Sequence, residues 1–549
     1  MAARVEEVPV LIVGGGPVGL GLAVDLGWRG IDCLLVEQTD GTIFHPRANA
    51  VNSRTMELCR RWGIAETVRE AGAPPDFPPT ILYVTGVQGY ELARIERPTH
   101  GGLAPLPHTP ERPQRCNQIW FDPILRDHAA GFPSVRLSYD TRFDSFERTT
   151  GGVIASLTDA KTGEVLRIAA RYLVACCGGR SSIPKALGVQ WEGQMVLSYN
   201  LNIFLRIPAL WERSGKGKAA FHMLVYADGG QGALIELDGN ELWRLGVRNL
   251  DHPITPETVD VDAIVQKALG PGIPYEIVEA VPWTCRSVVA DRWIDGHVML
   301  AGDAVHQHAP TGGFGMNTGM GDAADLGWKL AAAVEGWAGS GMLDSYEVER
   351  RPVAARNVRE ATANNEMQYD PALVPLIEDA TPEGEEARRR LGEQIMQSRS
   401  RIFISDGIAL GYAYDPSPVI WPNGSAPPPP DTMRYTPTTR PGSRAPHAWL
   451  KDGRSTLDLF GSGFVLLAFG GAEAKAAGLA EAARLRGVPF ETVAVDDAGI
   501  AALYERRMVL VRPDGHVAWR GDAAPDEPRA VIDAVRGAIV APGYVAPPR

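Results

Sequence analysis

A glycine-rich turn near the start of the chain has the residue types and spacing of a nucleotide-binding motif. Gly14, Gly16 and Gly19 follow the pattern GxGxxG, between an apolar run and a helical pattern. Such glycines permit a tight turn and let the backbone approach a pyrophosphate at the positive end of a helix. Glu37 stands 18 positions after Gly19, where a carboxylate can accept hydrogen bonds from ribose hydroxyls. The constellation predicts a dinucleotide site, but it does not distinguish FAD from NAD.

A second glycine-rich segment, HVMLAGDAVHQHAPTGGFGMN, follows much later in the chain. A predicted strand ends at Gly302 and Asp303, and the Asp303 carboxylate can bind a sugar hydroxyl. A turn from Pro310 to Gly315 then leads into a helix predicted to begin near Asn317. The N–H groups at that helix start can stabilise the negative charge that a reduced flavin carries. An ordinary helix N-cap preceded by a flexible loop is the alternative interpretation.

The elements that must position these segments alternate between strands and helices. Val8–Val13 predicts a buried strand, Pro17–Trp28 a helix and IDCLLVEQ a second strand, which together make a βαβ unit. Alternating segments between about 190 and 283 predict a mostly antiparallel sheet, after which HVMLAGDA returns the chain to its first domain. The proline-rich stretch WPNGSAPPPPD predicts a linker before a small α/β domain.

The composition of the chain argues against several kinds of partner. The chain has 549 residues, a formal net charge of −12 and no tract rich in Lys or Arg, which argues against nucleic acid or an anionic membrane as a partner. Its six cysteines show neither a disulfide framework nor paired metal spacing, so we expect a cytoplasmic protein. The spacing of His306 and His308 favours loop residues over a metal site, and no metal is expected.

These segments resemble the class A flavoprotein aromatic hydroxylases, the single-component group that includes p-hydroxybenzoate, phenol and polyketide hydroxylases. The matching pieces are the first glycine turn, HPRANAVNSRTMELCRRWG, the Gln118 helix, RYLVACCGGRSS, the GDAVH segment and YEVERRP. SRAPHAWLKDG, LDLFGSGFVLL and LVRPDGHVAWRG resemble the thioredoxin-like C-terminal domain of the phenol and polyketide hydroxylase branch. The resemblance therefore covers nearly the whole chain.

The resemblance implies an α/β fold with three parts. A Rossmann-like FAD-binding domain of the p-hydroxybenzoate hydroxylase type would receive an inserted antiparallel-sheet substrate domain and be followed by a thioredoxin-like domain. The expected ranges are 1–185 for the first part of the FAD-binding domain, 186–285 for the substrate domain, 286–420 for the return and its helices, 421–434 for the linker and 435–549 for a thioredoxin-like domain without CxxC.

The resemblance also implies roles for single residues. Glu37 would hold the adenosine ribose, Arg47 the phosphates or the ribityl region, and Gln118 and Asp303 the ribityl chain. Met316 and Asn317 would contact the flavin ring through their backbone, and Pro310 would lie beside the reacting flavin carbon as a candidate catalytic residue. The full set expected to bind the cofactor is Gly14, Gly16, Pro17, Gly19, Glu37, Gln38, Arg47, Ala48, Gln118, Gly302, Asp303, Gly315, Met316 and Asn317.

Two positions depart from the family pattern. Cys177 stands where the family has the Asp of an Asp-Gly pair that is thought to serve both FAD and NAD(P)H. Either the nicotinamide site is altered, or flavin binding tolerates the change. The C-terminal domain has LLAFGGAEA where a CxxC would stand, so we expect packing or oligomerisation there and not thiol–disulfide catalysis.

Candidates for substrate contact come from the alternating strands and from the segment after Arg47. Phe221, Met223, Tyr226 and Trp243 could line a pocket, although an aromatic or Met residue on such a strand also fits core packing. Asn49 lies in a segment that runs beside the flavin in relatives, some of which carry an acid there. Asn cannot remove a proton but can hydrogen-bond a substrate oxygen, which leaves the source of phenolate activation open.

The predicted function is an FAD-dependent monooxygenase that hydroxylates a phenolic or polycyclic aromatic substrate with NADH or NADPH and O₂. The resemblance implies a flavin C4a-hydroperoxide as the oxygen donor, because the cofactor carries the oxygen chemistry. A flavin epoxidase or Baeyer–Villiger monooxygenase acting on a polyketide is one alternative. A non-catalytic protein that binds FAD and an aromatic compound is another, motivated by Cys177. A small aromatic substrate is the expected partner, with a homodimer as a family-based expectation.

Overall fold

The computed structural model describes residues 5–99 and 106–546. The strands are β1 (Val5–Val13), β2 (Cys33–Val36), β3 (Ala50–Val51), β4 (Ile81–Val84), β5 (Glu91–Ile95), β6 (Gln114–Arg115), β7 (Val135–Ser138), β8 (Thr141–Thr149), β9 (Gly152–Asp159), β10 (Val165–Ala175), β11 (Trp191–Arg206), β12 (Phe221–Val225), β13 (Gln231–Glu236), β14 (Leu242–Leu250), β15 (Glu276–Ala290), β16 (Ile294–Asp295), β17 (Val298–Leu300), β18 (His306–Gln307), β19 (Phe464–Phe469), β20 (Phe490–Val495), β21 (Met508–Val511) and β22 (Val517–Gly521). The helices are α1 (Pro17–Trp28), α2 (Ser53–Trp62), α3 (Ala65–Glu70), α4 (Gln118–Ala130), α5 (Ile183–Ala186), α6 (Leu210–Ser214), α7 (Val261–Leu269), α8 (Phe314–Glu335), α9 (Ser345–Asn365), α10 (Pro382–Ser398), α11 (Asp406–Ala409), α12 (Glu473–Leu485), α13 (Ala498–Tyr504) and α14 (Pro528–Val535).

The first sheet has the order β16-β17-β10-β1-β2-β7, with β8 and β9 added beside β10. β1 pairs in parallel with β10 and β2, and β10 pairs in parallel with β17. Strands of this kind are covered on both faces, which is why β1 and β2 read as continuous apolar runs. The carboxyl ends of β1, β10 and β17 therefore lie together, and the loops that follow them carry both glycine-rich segments.

The second sheet has the order β18-β15-β11-β14-β13-β12-β4-β5. It is mostly antiparallel, as predicted, but β4 and β12 pair in parallel. Strands β4 and β5 come from before the expected substrate domain and β18 from after it, so the sheet draws on more of the chain than 186–285. An insertion can recruit strands in this way because sheet edges offer unpaired N–H and C=O groups.

The two faces of the second sheet have different neighbours. One face packs against α7 and includes Leu201, Trp243 and Leu245. Hydrogen-bonded register places Tyr83, Met223, Ala233, Gly246 and Asn202 in one row across the strands, on the opposite face. We call this opposite face the inner face. At its far end it packs against α10, and near β15 it approaches the loop before α8.

The C-terminal part forms a four-stranded sheet in the order β20-β19-β21-β22. β19 pairs in parallel with β20 and antiparallel with β21. Helices α12 and α14 pack on this sheet together with Trp328 and Trp337, which belong to α8 and the loop after it. The segment 421–434 contains neither helix nor strand, as its prolines predict. The thioredoxin-like character of this part stays a prediction.

No helix in residues 5–99 or 106–546 is both long and apolar enough to cross a membrane.

Candidate active site

The first glycine turn joins β1 to α1 and needs its glycines for steric reasons. Gly14 has φ +114°, and a Cβ there would lie 2.5 Å from the Cys176 carbonyl oxygen. A Cβ at Gly19 would lie 2.0 Å from the Gly14 carbonyl oxygen. Gly16 is the N-cap of α1, and a Cβ there would meet nothing within 4 Å. The turn is thus packed tightly on its sheet side and open at the helix start, where N–H groups lack partners.

Glu37 follows β2 and points to this turn. Its carboxylate accepts hydrogen bonds from the N–H of Gly15 at 2.8 Å and from the N–H and hydroxyl of Thr39 at 3.0 and 2.9 Å. The neighbouring Gln38 is exposed. A carboxylate has about four lone-pair directions, so Glu37 retains capacity for a ribose hydroxyl.

The segment around Asn49 is held by hydrogen bonds to Gln118 of α4 and to Arg244 of β14. The N–H of Ala48 donates to Gln118 Oε1 at 3.0 Å, and the N–H of Gln118 donates to the Ala48 carbonyl at 3.1 Å. Arg244 donates to the Arg47 carbonyl at 2.6 Å, while the Arg47 side chain is exposed. Both polar atoms of the Asn49 amide are buried and lack a hydrogen-bond partner among the described residues. The Asn49 amide is therefore free of partners among the described residues and available to hydrogen-bond a ligand.

The Gly302–Asp303 turn packs directly against α1. Gly302 has φ +63°, and a Cβ there would lie 2.9 Å from Val18. The N–H of Gly302 donates to Asp322 Oδ2 at 3.2 Å. Asp303 is reached by solvent but is surrounded by protein, and this burial raises the pKa of its carboxyl. The sugar contact predicted for this carboxylate stays a prediction.

Asp322 on α8 holds the Gly302–Asp303 turn through the hydrogen bond from the Gly302 N–H. It also accepts from His306 Nε2 at 2.7 Å and from Arg350 Nε at 2.9 Å, and all three side chains are buried. Burial alone would raise the pKa of Asp322, but His306 and Arg350 hold it below its usual value. His306 is therefore part of a buried hydrogen-bond network with Asp322. No group of three or more His, Cys, Asp or Glu in the described ranges is placed to hold a metal ion.

Helix α8 begins at Phe314, three residues before the predicted start at Asn317. Gly313 is its N-cap, with φ +67°, a conformation that favours glycine. The free N–H groups of the first turn are therefore those of Phe314, Gly315 and Met316, whereas the Asn317 N–H is the first to bond within the helix. The error arose because three glycines in GGFGMN obscure where helical dihedral angles begin.

The Asn317 side chain makes four hydrogen bonds. Its Oδ1 accepts from the Asn52 N–H at 2.9 Å and from the Thr55 hydroxyl at 2.8 Å. Its Nδ2 donates to the carbonyls of Ala50 and Gly313, each at 2.8 Å. Asn317 thus fastens the start of α8 to the chain that follows Asn49. The sequence suggested only a backbone role for this residue.

The loop before α8 carries Pro310 and His308. Pro310 is exposed, and its carbonyl accepts from the Gly313 N–H at 3.1 Å. Both ring nitrogens of His308 are buried without a partner among the described residues, and burial holds the pKa of this imidazole well below 6.5. His308 is therefore neutral at neutral pH, so one ring nitrogen can donate a hydrogen bond and the other can accept one.

The predicted substrate residues separate onto two faces of the second sheet. Phe221 and Met223 lie on the inner face. Trp243 is fully buried on the opposite face, and Tyr226 lies there with its ring centroid 4.2 Å from Lys267 Nζ of α7. These two aromatics are core residues, because successive side chains of a strand point to opposite faces and their parity is that of the α7 side.

Sequence reasoning missed Arg244 and Arg248, which share the inner face of β14 with Gly246. Burial lowers the pKa of Arg244 to about 10, with a further contribution from Arg248, whose own pKa is also lowered by burial. By contrast, Arg350 and Arg512 each reach a carboxylate at 3.0 Å or less. No described carboxylate pairs with Arg244 or Arg248. The signal in the sequence was the spacing of two arginines on one face of an otherwise apolar strand.

Cys177 lies beside the first glycine turn. Its Cα would be 2.8 Å from a Cβ at Gly14, and its Sγ is 2.8 Å from the Ser181 hydroxyl. Burial raises the pKa of the Cys177 thiol, so it is protonated at neutral pH. The position contributes a neutral group where an acid was expected from the family.

Comparison with known proteins gives consistent matches. Residues 7–361 match the model of an FAD binding domain, and residues 438–539 match that of an aromatic-ring hydroxylase C-terminal domain. The chain is 35% identical to tetracenomycin B2 monooxygenase-dioxygenase of Streptomyces olivaceus, over 97% of this chain and 99% of the relative. It is 33% identical to 4-methyl-5-nitrocatechol 5-monooxygenase of Burkholderia sp, over 97% and 98%.

Solved structures agree with these relatives. The structure of RebC with bound 7-carboxy-K252c has a TM-score of 0.90 and 42% identity, covering 97% of this chain and 100% of that chain. Aklavinone-11 hydroxylase in a ternary complex with FAD and aklavinone has a TM-score of 0.81 and 28% identity, covering 97% and 99%.

Proposed function

We propose that this chain, which belongs to the family of FAD-binding aromatic-ring hydroxylases, hydroxylates a planar polycyclic aromatic substrate that carries an anionic group. Its relatives show that it is an FAD-dependent monooxygenase. NADH or NADPH is the proposed reductant, and O₂ is the source of the oxygen atom. The observation that carries the substrate proposal is the row Arg244, Gly246 and Arg248 on the inner face, with no described carboxylate to pair the two cations.

The residues present fit FAD. The open start of α1 at Gly16 suits the pyrophosphate, Glu37 suits the adenosine ribose, and Asp303 suits a ribityl hydroxyl. The free N–H groups of Gly315 and Met316 suit a negatively charged ring edge. Bound FAD supplies the activation of O₂, which the side chains of this chain cannot perform alone.

The inner face offers the substrate a flat surface at Ala233 and Gly246, which we call the floor, and two guanidinium groups on Arg244 and Arg248. Ala233 and Gly246 lie side by side in the hydrogen-bonded register, so this part of the sheet has almost no side-chain bulk. A Cβ at Gly246 would lie 3.3 Å from Asn202 Oδ1 and 4.0 Å from Arg248 Nε, so a larger residue would crowd the floor. A flat ring system can rest on such a floor, and its anionic substituent can reach either guanidinium.

Asn49 is the proposed contact for the oxygen of the substrate ring. Its amide can donate to a phenolate or accept from a phenol, but it cannot take the proton. His308 is a proposed second contact, because a neutral imidazole with an unpaired ring nitrogen can accept a hydrogen bond from a phenol hydroxyl. Phe314 and Trp283, which pack in one apolar cluster with Ala309, would exclude water from this region.

The test is turnover with paired substrates. Purified enzyme with FAD would be given NADH or NADPH and polycyclic phenols, each as a free carboxylic acid and as its neutral methyl ester. We expect the acids to stimulate NAD(P)H oxidation, matched by product that contains one added oxygen atom. Oxidation without product, or bound flavin that neither NADH nor NADPH reduces, would contradict the proposed function. Equal turnover of acids and esters would contradict only the anionic substituent.

Product analysis separates hydroxylation from the other oxygen insertions. Epoxidation or Baeyer–Villiger insertion on a polyketide would leave an epoxide or a lactone, which nuclear magnetic resonance distinguishes from a new phenol. The tetracenomycin relatives are named monooxygenase-dioxygenases, so a second insertion of oxygen belongs among the products to be sought. A non-catalytic protein is not supported, because these relatives are named as enzymes. A homodimer and a cytoplasmic location stay predictions.

A further inference from the structure

The turn between β21 and β22, residues Arg512 to His516, is buried along its whole length. Hairpin turns normally lie at the surface, because their polar backbone and side chains are easily solvated there. This one has the sequence RPDGH, with three ionisable side chains. We call it the 512–516 turn. Its burial against the FAD-binding part of the chain has a cost that must be offset by specific contacts.

The contacts of the 512–516 turn with α8 and α9 are ionic. Arg512 donates to Asp325 at 3.0 Å and to Glu349 at 2.6 Å and 3.0 Å, and it also pairs with Asp514 of its own turn. Lys329 completes the cluster by donating to Asp325 at 2.8 Å and to Glu349 at 2.6 Å. Two cations and three carboxylates are thus buried together, so loss of one cation leaves carboxylates without full compensation.

The same turn also holds α2. Arg54 donates to the Asp514 carbonyl at 2.6 Å, and Arg61 donates to the Pro513 carbonyl at 2.8 Å. Both arginines lie on α2, which otherwise contacts α8 near its own N-terminus. The 512–516 turn therefore bridges two helices that are distant in sequence.

The two helices that the turn bridges are also bonded to each other at their N-terminal ends. Asn52 is the N-cap of α2, and Asn317 in the first turn of α8 binds both its N–H and the Thr55 hydroxyl. Further along α8, Asp322 holds the Gly302 N–H. A change in the separation of α2 and α8 would therefore shift the positions of Asn49, of Asp303 and of the free N–H groups of α8.

A second path leads from the turn to Asp322. The His516 ring lies 4.3 Å from the Tyr414 ring, centroid to centroid. The Tyr414 hydroxyl lies 3.4 Å from Arg350 Nη1, and Arg350 Nε donates to Asp322 at 2.9 Å. The turn is thus linked both to the spacing of the helices and to the residue that holds the Gly302–Asp303 turn.

We propose that the 512–516 turn makes the C-terminal domain a brace for the cofactor site, and that this brace sets the affinity for FAD. The C-terminal domain lacks a CxxC, and its contribution is mechanical: the 512–516 turn holds α2 against the middle of α8 and so supports the direct bonds between the N-terminal ends of the two helices. Arg512 is a positioning residue, since it acts on the cofactor only through Asp325, Glu349 and the helices that carry them. The proposal depends on FAD binding and not on the identity of the aromatic substrate.

The test compares two arginines of the same hairpin. Arg512→Lys keeps the charge but loses the geometry that reaches Asp325, Glu349 and Asp514 together. Arg520→Lys is the matched control, because Arg520 is also buried but bonds to Thr439, Glu505 and Ser425 outside the FAD-binding part. FAD would be removed from the full-length protein, and the Kd for added FAD measured by quenching of flavin fluorescence. Unfolding by urea would be followed in parallel on the apoprotein.

We expect Arg512→Lys to raise the Kd for FAD by about tenfold, within the usual range for coupled sites, and Arg520→Lys to leave it within about twofold. Equal changes in Kd for the two variants, or an unchanged Kd in Arg512→Lys, would overturn the proposal. If Arg512→Lys fails to fold, Tyr414→Phe removes the hydroxyl that lies 3.4 Å from Arg350 Nη1 and should raise the Kd by about threefold; an unchanged Kd in this variant would also overturn the proposal.

Linkage provides a measurement on the unaltered protein. If the brace favours FAD, then FAD must stabilise the brace by the same factor. Hydrogen exchange of the amides in β21 and β22 should therefore slow when FAD is added to the apoprotein, whereas amides of β20 at the far edge should change less. Exchange in β21 and β22 that is the same with and without FAD would refute the brace.

Discussion

Replacement of Arg244 by Met should affect stability and substrate binding in opposite directions. The pKa of Arg244 falls from 12.5 to about 10 on folding, because burial and Arg248 disfavour its charge. A base whose pKa is lowered on folding costs stability wherever the unfolded group is charged. The full cost is therefore present at pH 7, and it declines only above about pH 10.

The lowered pKa of Arg244 sets the expected change in stability. A fall of 2.5 in pKa corresponds to about 3 kcal/mol as an upper bound, since Arg244 retains partial solvent access. Arg244→Met also loses the 2.6 Å hydrogen bond to the Arg47 carbonyl, worth about 1–1.5 kcal/mol. The variant should thus be more stable than the parent by about 1–2 kcal/mol. Loss of a charge-assisted bond to the substrate should weaken binding of an anionic polycyclic ligand by about 10–150-fold.

The assay pairs urea unfolding at pH 7 with titration of ligand binding through flavin fluorescence. Arg206→Met is the control, because Arg206 also lies on the second sheet but pairs with Glu241 at the surface. It should change stability by less than about 1 kcal/mol and leave ligand binding unchanged. Arg244→Met could instead be less stable than the parent, or could bind the acid and its methyl ester as the parent does. Either result would refute the claim that Arg244 is a buried, unpaired cation that binds an anionic substrate.

Other variants probe the cofactor cleft. Gly19→Ala places a Cβ 2.0 Å from a backbone oxygen that cannot move away, so purified protein should contain little FAD; a stoichiometric flavin content would contradict the steric argument. Asn49→Leu should retain FAD but bind a phenolic ligand about 5–30-fold more weakly, measured by equilibrium titration, because it removes an unpaired amide; unchanged affinity would place that amide outside the substrate site. Asp322 has a pKa below its usual value, so its contribution is present above about pH 4 and lost only at lower pH; Asp322→Asn should weaken FAD binding already at pH 7, and a parent that released FAD between pH 7 and 5 would argue against this assignment. Cys177→Ala should bind FAD within about twofold of the parent and be reduced by NAD(P)H at a similar rate, because the protonated thiol is neutral and pairs with the Ser181 hydroxyl; loss of reduction alone would assign Cys177 to the nicotinamide.

The local parts of this protein could be predicted from its amino-acid sequence. The turn from Gly14 to Gly19 was recognisable because tight turns depend on φ values and missing Cβ atoms, which are properties of single residues. The parallel strands were recognisable because burial on both faces produces continuous apolar runs. The acid at Glu37 and the helix start near Asn317 followed from their distances along the chain, and the latter was wrong by three residues.

Which side chains come into contact could not be predicted from the sequence. Alternation along β14 predicts two faces, but only the packing of α7 reveals that Trp243 belongs to the core and Arg244 to the inner face. The four bonds of Asn317 and the burial of the 512–516 turn join residues that are hundreds of positions apart. Such contacts have no local signature, because a hydrogen-bonding group is equally stable with water or with a distant partner until folding removes the water.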